Sequence, residues 1–319
     1  TSAPTAITLS GDQDVTVKND ADDFDDVTVT DSTTAGTTTV ELTGEVAGAV
    51  DLSKVAADRI LASADLKTTN GTITLASGAS VVLAKDQAQL DLAGKTSKAT
   101  LNLETADDTN ASGATIDITV GAFDASSNFT TVNLDATVGK FTATGTKLGN
   151  SATLNLTGTK DVDLGTLSNA KAISAAAFEG DLTVTAAGAD TAKTITTGAG
   201  DDSITVNQAV EFNVDAGDGD NTLVVTAAAA ASSFATGSGD DTVTLTETGA
   251  VVVVTGAGND KVTIATDSDA IIVMGDGTSD ELVFTAANDF SGNTNFAFTG
   301  VEKVTTAAGG STIISNTQF

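Results

Sequence analysis

The chain has 319 residues, 40% of them apolar, enough for one large domain or two ordinary ones with a real core. It carries 14 basic against 43 acidic side chains, a formal charge of -29, which argues against charge-driven binding to nucleic acid or an anionic membrane. With no His and no Cys, a His-dependent zinc site, a Ser-His-Asp triad and a thiol nucleophile are all excluded within these residues.

There is no Trp or Tyr either, one Met and 12 Phe, so the core rests on Val, Ile, Leu, Ala and a few rings. Abundant Thr alternating with these residues favours thin, regular β layers. The missing Cys fits a cytosolic chain, or an exported bacterial surface protein that uses calcium in place of disulfides; the second reading is preferred. No apolar run reaches the roughly 18 residues a membrane span needs. Residues 1–20 show neither a basic start nor an apolar core, so no signal peptide is visible there.

In chain order, short period-two runs predict strands: Ile7-Thr-Leu9, Val15-Thr-Val17, Val27 to Thr30, Ile73-Thr-Leu75, Leu101-Asn-Leu103, Ile116-Asp-Ile118 and Leu154-Asn-Leu156. Leu52, Val55, Ala56 and Ile60 stand at helical spacing and nominate a helix over 52–66, although Arg59-Ile-Leu61 equally well opens a strand. Asn19 to Asp26 is a dense acidic loop without the glycine of a tight calcium loop, and a solvated loop is the favoured reading. Glu104 to Asn110 is a weaker acidic stretch. Asn70, Asn110, Asn128 and Asn155 head glycosylation sequons of the kind an Asn- and Thr-rich chain produces by chance.

From residue 198 a signature returns at steps of 19, 20, 19 and 19 residues. It reads Gly198-Ala-Gly200-Asp201-Asp202, Gly217-Asp218-Gly219-Asp220-Asn221, Gly237-Ser-Gly239-Asp240-Asp241, Gly256-Ala-Gly258-Asn259-Asp260 and Gly275-Asp276-Gly277-Thr-Ser-Asp280. A fixed period of this length predicts stacked coils, each built as strand, turn, strand, turn. Parallel stacking gives a rise of about 4.8 Å per coil. The period persists upstream at Gly139, Gly158 and Gly180 without the acidic turns. The predicted fold class is therefore all-β, a parallel β-solenoid of about 19–20 residues per coil. Predicted boundaries are a β-rich region 1–134 (irregular solenoid or separate domain), a solenoid over 135–310 with cation turns at 197–284, and a tail at 311–319. The alanine run Ala227 to Ala231 reads as a coil corner or a tight helical insert.

Each residue of the signature has a mechanical reason. Glycine permits positive φ and close backbone approach. Aspartate supplies the oxygen that calcium prefers, together with main-chain carbonyls. One turn offers too few oxygens for a six- to eight-coordinate ion, so a site requires two stacked turns. All the Gly, Asp and Asn residues numbered in the five turns are candidate ligands or ligand-positioning residues for Ca2+.

Thr197 to Ile204, Thr236 to Val243 and Thr255 to Val262 resemble the calcium nonapeptide of RTX (repeats-in-toxin) proteins, Gly-Gly-x-Gly-x-Asp-x-hydrophobe-x. They depart from it in carrying Thr for the first glycine, Asn221 for an aspartate, and one extra residue before Asp280. One such turn per coil, where the family has two, implies ions along one edge only. The resemblance implies export by type I secretion. Together with the composition, it is most similar to bacterial surface-layer proteins. Val301 to Val304 also resembles a segment near the end of such repeats.

The expected function is thus a structural protein, not an enzyme, that folds and self-assembles at the cell surface on binding calcium. Its expected partners are further copies of itself and cell-surface polysaccharide. An adhesin or an extracellular filament subunit is the alternative. A paired-carboxylate glycosidase stays formally open, but the chain lacks the Trp and Tyr platforms that sugar sites use.

Overall fold

The computed structural model describes residues 4–68, 71–106, 117–187, 193–229, 231–246, 249–266, 268–286 and 296–307. It is an all-β parallel solenoid of about 13 turns. The chain divides into two compact units after Gly165.

In the amino-terminal unit one ladder runs through Val15–Asn19, Thr38–Leu42, Arg59–Ala62, Ala79–Leu83, Ala99–Thr105, Phe129–Ala136 and Thr153–Gly158, every neighbouring pair parallel. The second runs through Val50–Asp51, Ile73–Leu75, Leu90–Gly94, Phe123–Ser127 and Gly145–Leu148. Register is held by alternation: Leu101 and Leu103 align with Val132 and Leu134, and these align with Leu154 and Leu156, all buried. A one-residue slip would turn every one of them outward. Between them, Asn102, Asn133 and Asn155 form a side-chain ladder with amide hydrogen bonds of 2.7 Å. Coils of one plan therefore begin well ahead of residue 135.

In the carboxy-terminal unit the first ladder runs through Ala172–Ser174, Lys193–Thr196, Phe212–Asp215, Ser233–Ala235, Val252–Val254, Ile271–Val273 and Ala297–Thr299. The second runs through Leu182–Ala186, Ser203–Asn207, Thr222–Ala227, Thr242–Leu245, Lys261–Ile264, Glu281–Phe284 and Lys303–Thr306. Phe178, Phe212, Phe234, Phe284 and Phe296 fill the interior.

The proposed helix over 52–66 does not form. Arg59–Ala62 is a strand paired with Thr39 to Leu42. Leu52 and Val55 are buried, but across a tight corner in which the Val55 N–H donates to the Leu52 carbonyl at 3.0 Å. A corner places apolar residues three apart on its inner side, which imitates helical spacing over a single turn. The alanine run is a coil corner: Ala229 and Ala231 donate to the carbonyls of Val210 and Ala250; Ala230 lies outside the described residues. So do Asn70 and Asn110, most of the Glu104 to Asn110 stretch, Ile116 and the tail 311–319. The amides of Asn128 and Asn155 donate within the fold, to the Gly94 carbonyl and to Asn133.

Leu154 is 1% exposed while neighbouring Thr153 points outward. Leu154→Ala is expected to lower the unfolding free energy of the amino-terminal unit by roughly 2–4 kcal/mol in urea titrations. Thr153→Ala is expected to change it by less than about 0.5 kcal/mol. Equal effects would contradict the assigned register.

Candidate metal centre in the glycine-aspartate turns

The signature turns link the end of a first-ladder strand to the start of the next second-ladder strand. They stack without a side chain between them. The N–H groups of Asp218, Ser238, Ala257 and Asp276 donate to the carbonyls of Gly198, Gly217, Gly237 and Gly256, one coil back, at 2.7–3.2 Å. Gly237 shows why the position must be glycine. Its φ is +90°, and a Cβ there would lie inside contact distance of the Gly217 carbonyl oxygen.

Two columns of side chains flank this stack and use their oxygens in opposite directions. The outer column is exposed. Asp181, Asp201, Asp220 and Asp240 each accept the backbone N–H of the residue one coil later, from Asp201, Asp220, Asp240 and Asn259, at 2.7–2.8 Å. Asn259 closes it more loosely, accepting from the Thr278 hydroxyl at 3.2 Å. The inner column is Asp202, Asn221, Asp241, Asp260 and Asp280, none more than 1% exposed. Each Oδ1 accepts a backbone N–H from one coil earlier: Leu182, Asp202, Asn221, Asp241 and Asp260 in turn, at 2.7–3.0 Å.

The second oxygen of each inner carboxylate is different. Oδ2 of Asp202, Asp241, Asp260 and Asp280 is buried and accepts no hydrogen bond. Asn221 alone has the corresponding atom engaged: its Nδ2 donates to the carbonyls of Gly219 and Thr236, both at 3.0 Å. A buried anionic oxygen without a donor costs several kcal/mol unless a proton or a cation meets it. Burial pushes the Asp202 carboxyl up to about 6 against the opposing pull of the neighbouring Thr197 hydroxyl and the Leu182 N–H, with the Asp181 and Asp201 charges adding to the rise. Burial likewise pushes Asp241 up to about 6, opposed by the Thr236 hydroxyl and the Asn221 N–H and assisted by the Asp260 charge. Asp280 is raised by burial and by Asp260 and Glu302.

The structure brings all five inner residues into one column, and the extra residue before Asp280 is absorbed in the turn. Asp201, Asp220, Asp240 and Asn259 form the outer column, a lip rather than a cage. Asp218 bonds the Ser238 hydroxyl, and Asp276 belongs to the same row of turn residues. Among the described residues no three carboxylates come close enough to hold an ion between them. An ion here needs main-chain carbonyls as well as Oδ2, which is the oxygen-only donor set suited to calcium.

Sequence reasoning missed two residues. Asp181 starts the outer column although only Gly180 marks its turn. Glu302, itself exposed, continues the hydrogen-bond pattern past the inner column, its Oε2 accepting the Asp280 N–H at 3.0 Å. The step of 22 residues from Asp280 hid it. The acidic loop at Asn19 to Asp26 is used differently. Asp22 and Asp25 accept the N–H groups of Ala47 and Asp51 from the next coil, and Asp26 pairs with Lys54. Apart from the turns, a cavity of about 440 Å³ in the amino-terminal unit is lined by Glu41, Arg59, Leu61, Val82 and Glu104 among others, and no motif signals it.

The fold and the columns together define a β-solenoid with one acidic edge in its carboxy-terminal unit. No family model matches the chain, and no curated protein or solved structure is detectably similar to it.

The raised carboxyls set a pH dependence. In the folded state Asp202 and Asp241 hold protons up to about pH 6, above the 3.8 of the free group. Without metal, their burial cost is therefore complete above pH 6 and is relieved as pH falls toward 4, on the order of 2–3 kcal/mol per group. Stability in EDTA is expected to rise from pH 7.5 to pH 5 in urea titrations. Below pH 4 the opposite holds for Asp51. Burial pushes that group up, but Lys95 and Ser53 outweigh it and hold it at about 2. A steady loss of stability from pH 7.5 to 5 would contradict the buried column.

Proposed function

We propose that this is a structural, non-catalytic protein of a bacterial cell surface, a surface-layer subunit that folds and self-assembles outside the cell on binding calcium. One observation carries the reading: four buried aspartates in one column, interrupted once by Asn221, each with an oxygen that has no hydrogen-bond partner. Oδ2 of Asp202, Asp241, Asp260 and Asp280, with carbonyls of the adjoining turns, would hold the ions. Calcium when bound supplies the positive charge that the column lacks and links successive coils.

The charge distribution supports the same reading. The unit up to Gly165 has 10 basic and 23 acidic residues; the unit after it has 4 and 20. In the first unit, described ion pairs join neighbouring coils: Lys18–Glu41, Lys54–Asp26, Lys67–Glu45, Lys140–Asp161 and Lys147–Asp124, with Lys95–Asp51 reaching farther. The described pair of the second unit is Lys303–Glu281. Lys193, in the second unit, is buried with its amine unbonded, and burial lowers its pKa. The second unit therefore lacks resident cations where its acids stack. At coil spacing, neighbouring charges repel by about 1 kcal/mol even in water.

Extracellular calcium modules work at about 10⁻⁴–10⁻³ M. A chain with such sites stays loose where free calcium is scarce and folds after export, since binding to the folded state alone stabilises it. Type I secretion suits that sequence of events. Further copies of the chain are the partner, with cell-surface polysaccharide as the anchoring surface.

Far-ultraviolet circular dichroism in EDTA, then in calcium, tests this. The β signal is expected to be incomplete in EDTA and to reach its full value in calcium, and electron microscopy of the calcium form is expected to show a planar lattice. A full β signal in EDTA that calcium leaves unchanged would overturn the calcium reading. Fibres or monodisperse particles would replace the surface layer by a filament subunit or an adhesin.

A further inference from the structure

We infer that Asn221 is a resident substitute for a cation, so that the inner column takes ions beside its aspartates and none at the Asn221 turn. The inference rests on the calcium reading above and specifies where in the column it applies.

The geometry at Asn221 shows what that position requires. Its Oδ1 does what every inner Oδ1 does, accepting the N–H one coil back, from Asp202 at 2.9 Å. Its second atom therefore occupies the place that Oδ2 occupies in Asp202, Asp241, Asp260 and Asp280. At Asn221 that atom is a donor, and it finds two acceptors: the Gly219 carbonyl of its own turn and the Thr236 carbonyl of the next. By the repeat of the turn, Oδ2 in the aspartate coils stands where Nδ2 stands here, and it carries charge where Nδ2 carries a donor. There Oδ2 stands buried without a hydrogen-bond partner, and the carbonyls equivalent to Thr236's accept the hydroxyls of Thr197 and Thr236 instead; the carboxylate's charge is what a cation would meet. The asparagine turn carries its own partial positive charge on Nδ2. The aspartate turns do not.

A second residue changes in step. The position just before the first glycine is Thr197 in the Asp202 coil, Thr236 in the Asp241 coil and Thr255 in the Asp260 coil. All three are buried, and Thr197 and Thr236 donate their hydroxyls to the carbonyls of Ala216 and Thr255. In the Asn221 coil that position is Ala216, which has no oxygen on its side chain. The coil that loses the carboxylate loses the hydroxyl too, and there Nδ2 donates to the equivalent carbonyl, that of Thr236, in the hydroxyl's place. The Asp280 coil, with Met274 there, keeps the carboxylate alone.

The consequence is a column in two parts, Asp202 on one side and Asp241, Asp260 and Asp280 on the other, joined by a turn that closes without metal. That turn holds two coils together before calcium arrives, which gives the carboxy-terminal unit a place from which stacking can propagate.

Three forms of the full chain test this: wild type, Asn221→Asp and Asp241→Asn. Bound calcium is counted by equilibrium dialysis and elemental analysis, and the melting midpoint is read in EDTA. Asn221→Asp is expected to bind one calcium more than wild type and to melt lower in EDTA. Asp241→Asn is expected to bind one fewer and to melt higher in EDTA, because it removes a buried charge that has no hydrogen-bond partner. The second variant keeps the test decisive if the first fails to fold without calcium. Calcium on wild type with the same count on both variants overturns the surrogate role and leaves the calcium reading standing. No calcium on wild type overturns the calcium reading itself.

Discussion

Everything in the carboxy-terminal unit depends on one electrostatic conflict. Parallel stacking needs a donor or acceptor for every backbone group at the turn, and the inner carboxylates meet part of that need with Oδ1. Burying Oδ1 buries Oδ2 with it. The same residue that satisfies the N–H of the coil before it therefore creates an unmet negative charge in the wall of the solenoid. At Asp202 and Asp241 protons relieve that charge near pH 6 and below; above it a cation must, or those positions are a source of instability.

The two units resolve like-charge stacking in different ways. The amino-terminal unit places Lys opposite Asp or Glu on neighbouring coils and runs an asparagine ladder along its face, so those particular rows are neutral or paired. The carboxy-terminal unit puts carboxylates above carboxylates in both columns and contains few lysines to answer them. A ladder of coils is a quasi-one-dimensional object whose stability is set by each neighbouring interface. On the proposed reading, calcium supplies at the acidic interfaces what lysine and asparagine supply at the others.

The sequence made the period, the strand order of each carboxy-terminal coil and the five signature turns legible, because glycine is obligatory where one turn lies directly on the next. Gly237 and Gly258 cannot carry a Cβ without meeting the backbone of the coil below. The amino-terminal coils were harder to read since their corners vary in length and need no fixed residue. Leu52 to Leu66 shows the cost of that irregularity: buried residues at a corner were spaced like a helix. The acid two residues before each core hydrophobe, Asp202 before Ile204 and Asp241 before Val243, shares the hydrophobe's inward face, which strand alternation made readable; the depth of its burial was not. Asp201 and Asp202 are neighbours of the same type, and alternation with Ile204 puts Asp202 inward and leaves Asp201 on the exposed lip. Glu302 was concealed because a longer side chain and a longer step continue the same hydrogen-bond pattern.

The most direct measurement is anomalous diffraction from a crystal grown at saturating calcium. The account requires peaks within coordination distance of Oδ2 in Asp202, Asp241 and Asp260, in line along one edge of the solenoid. Aligned aspartates with no peak beside any of them would contradict it.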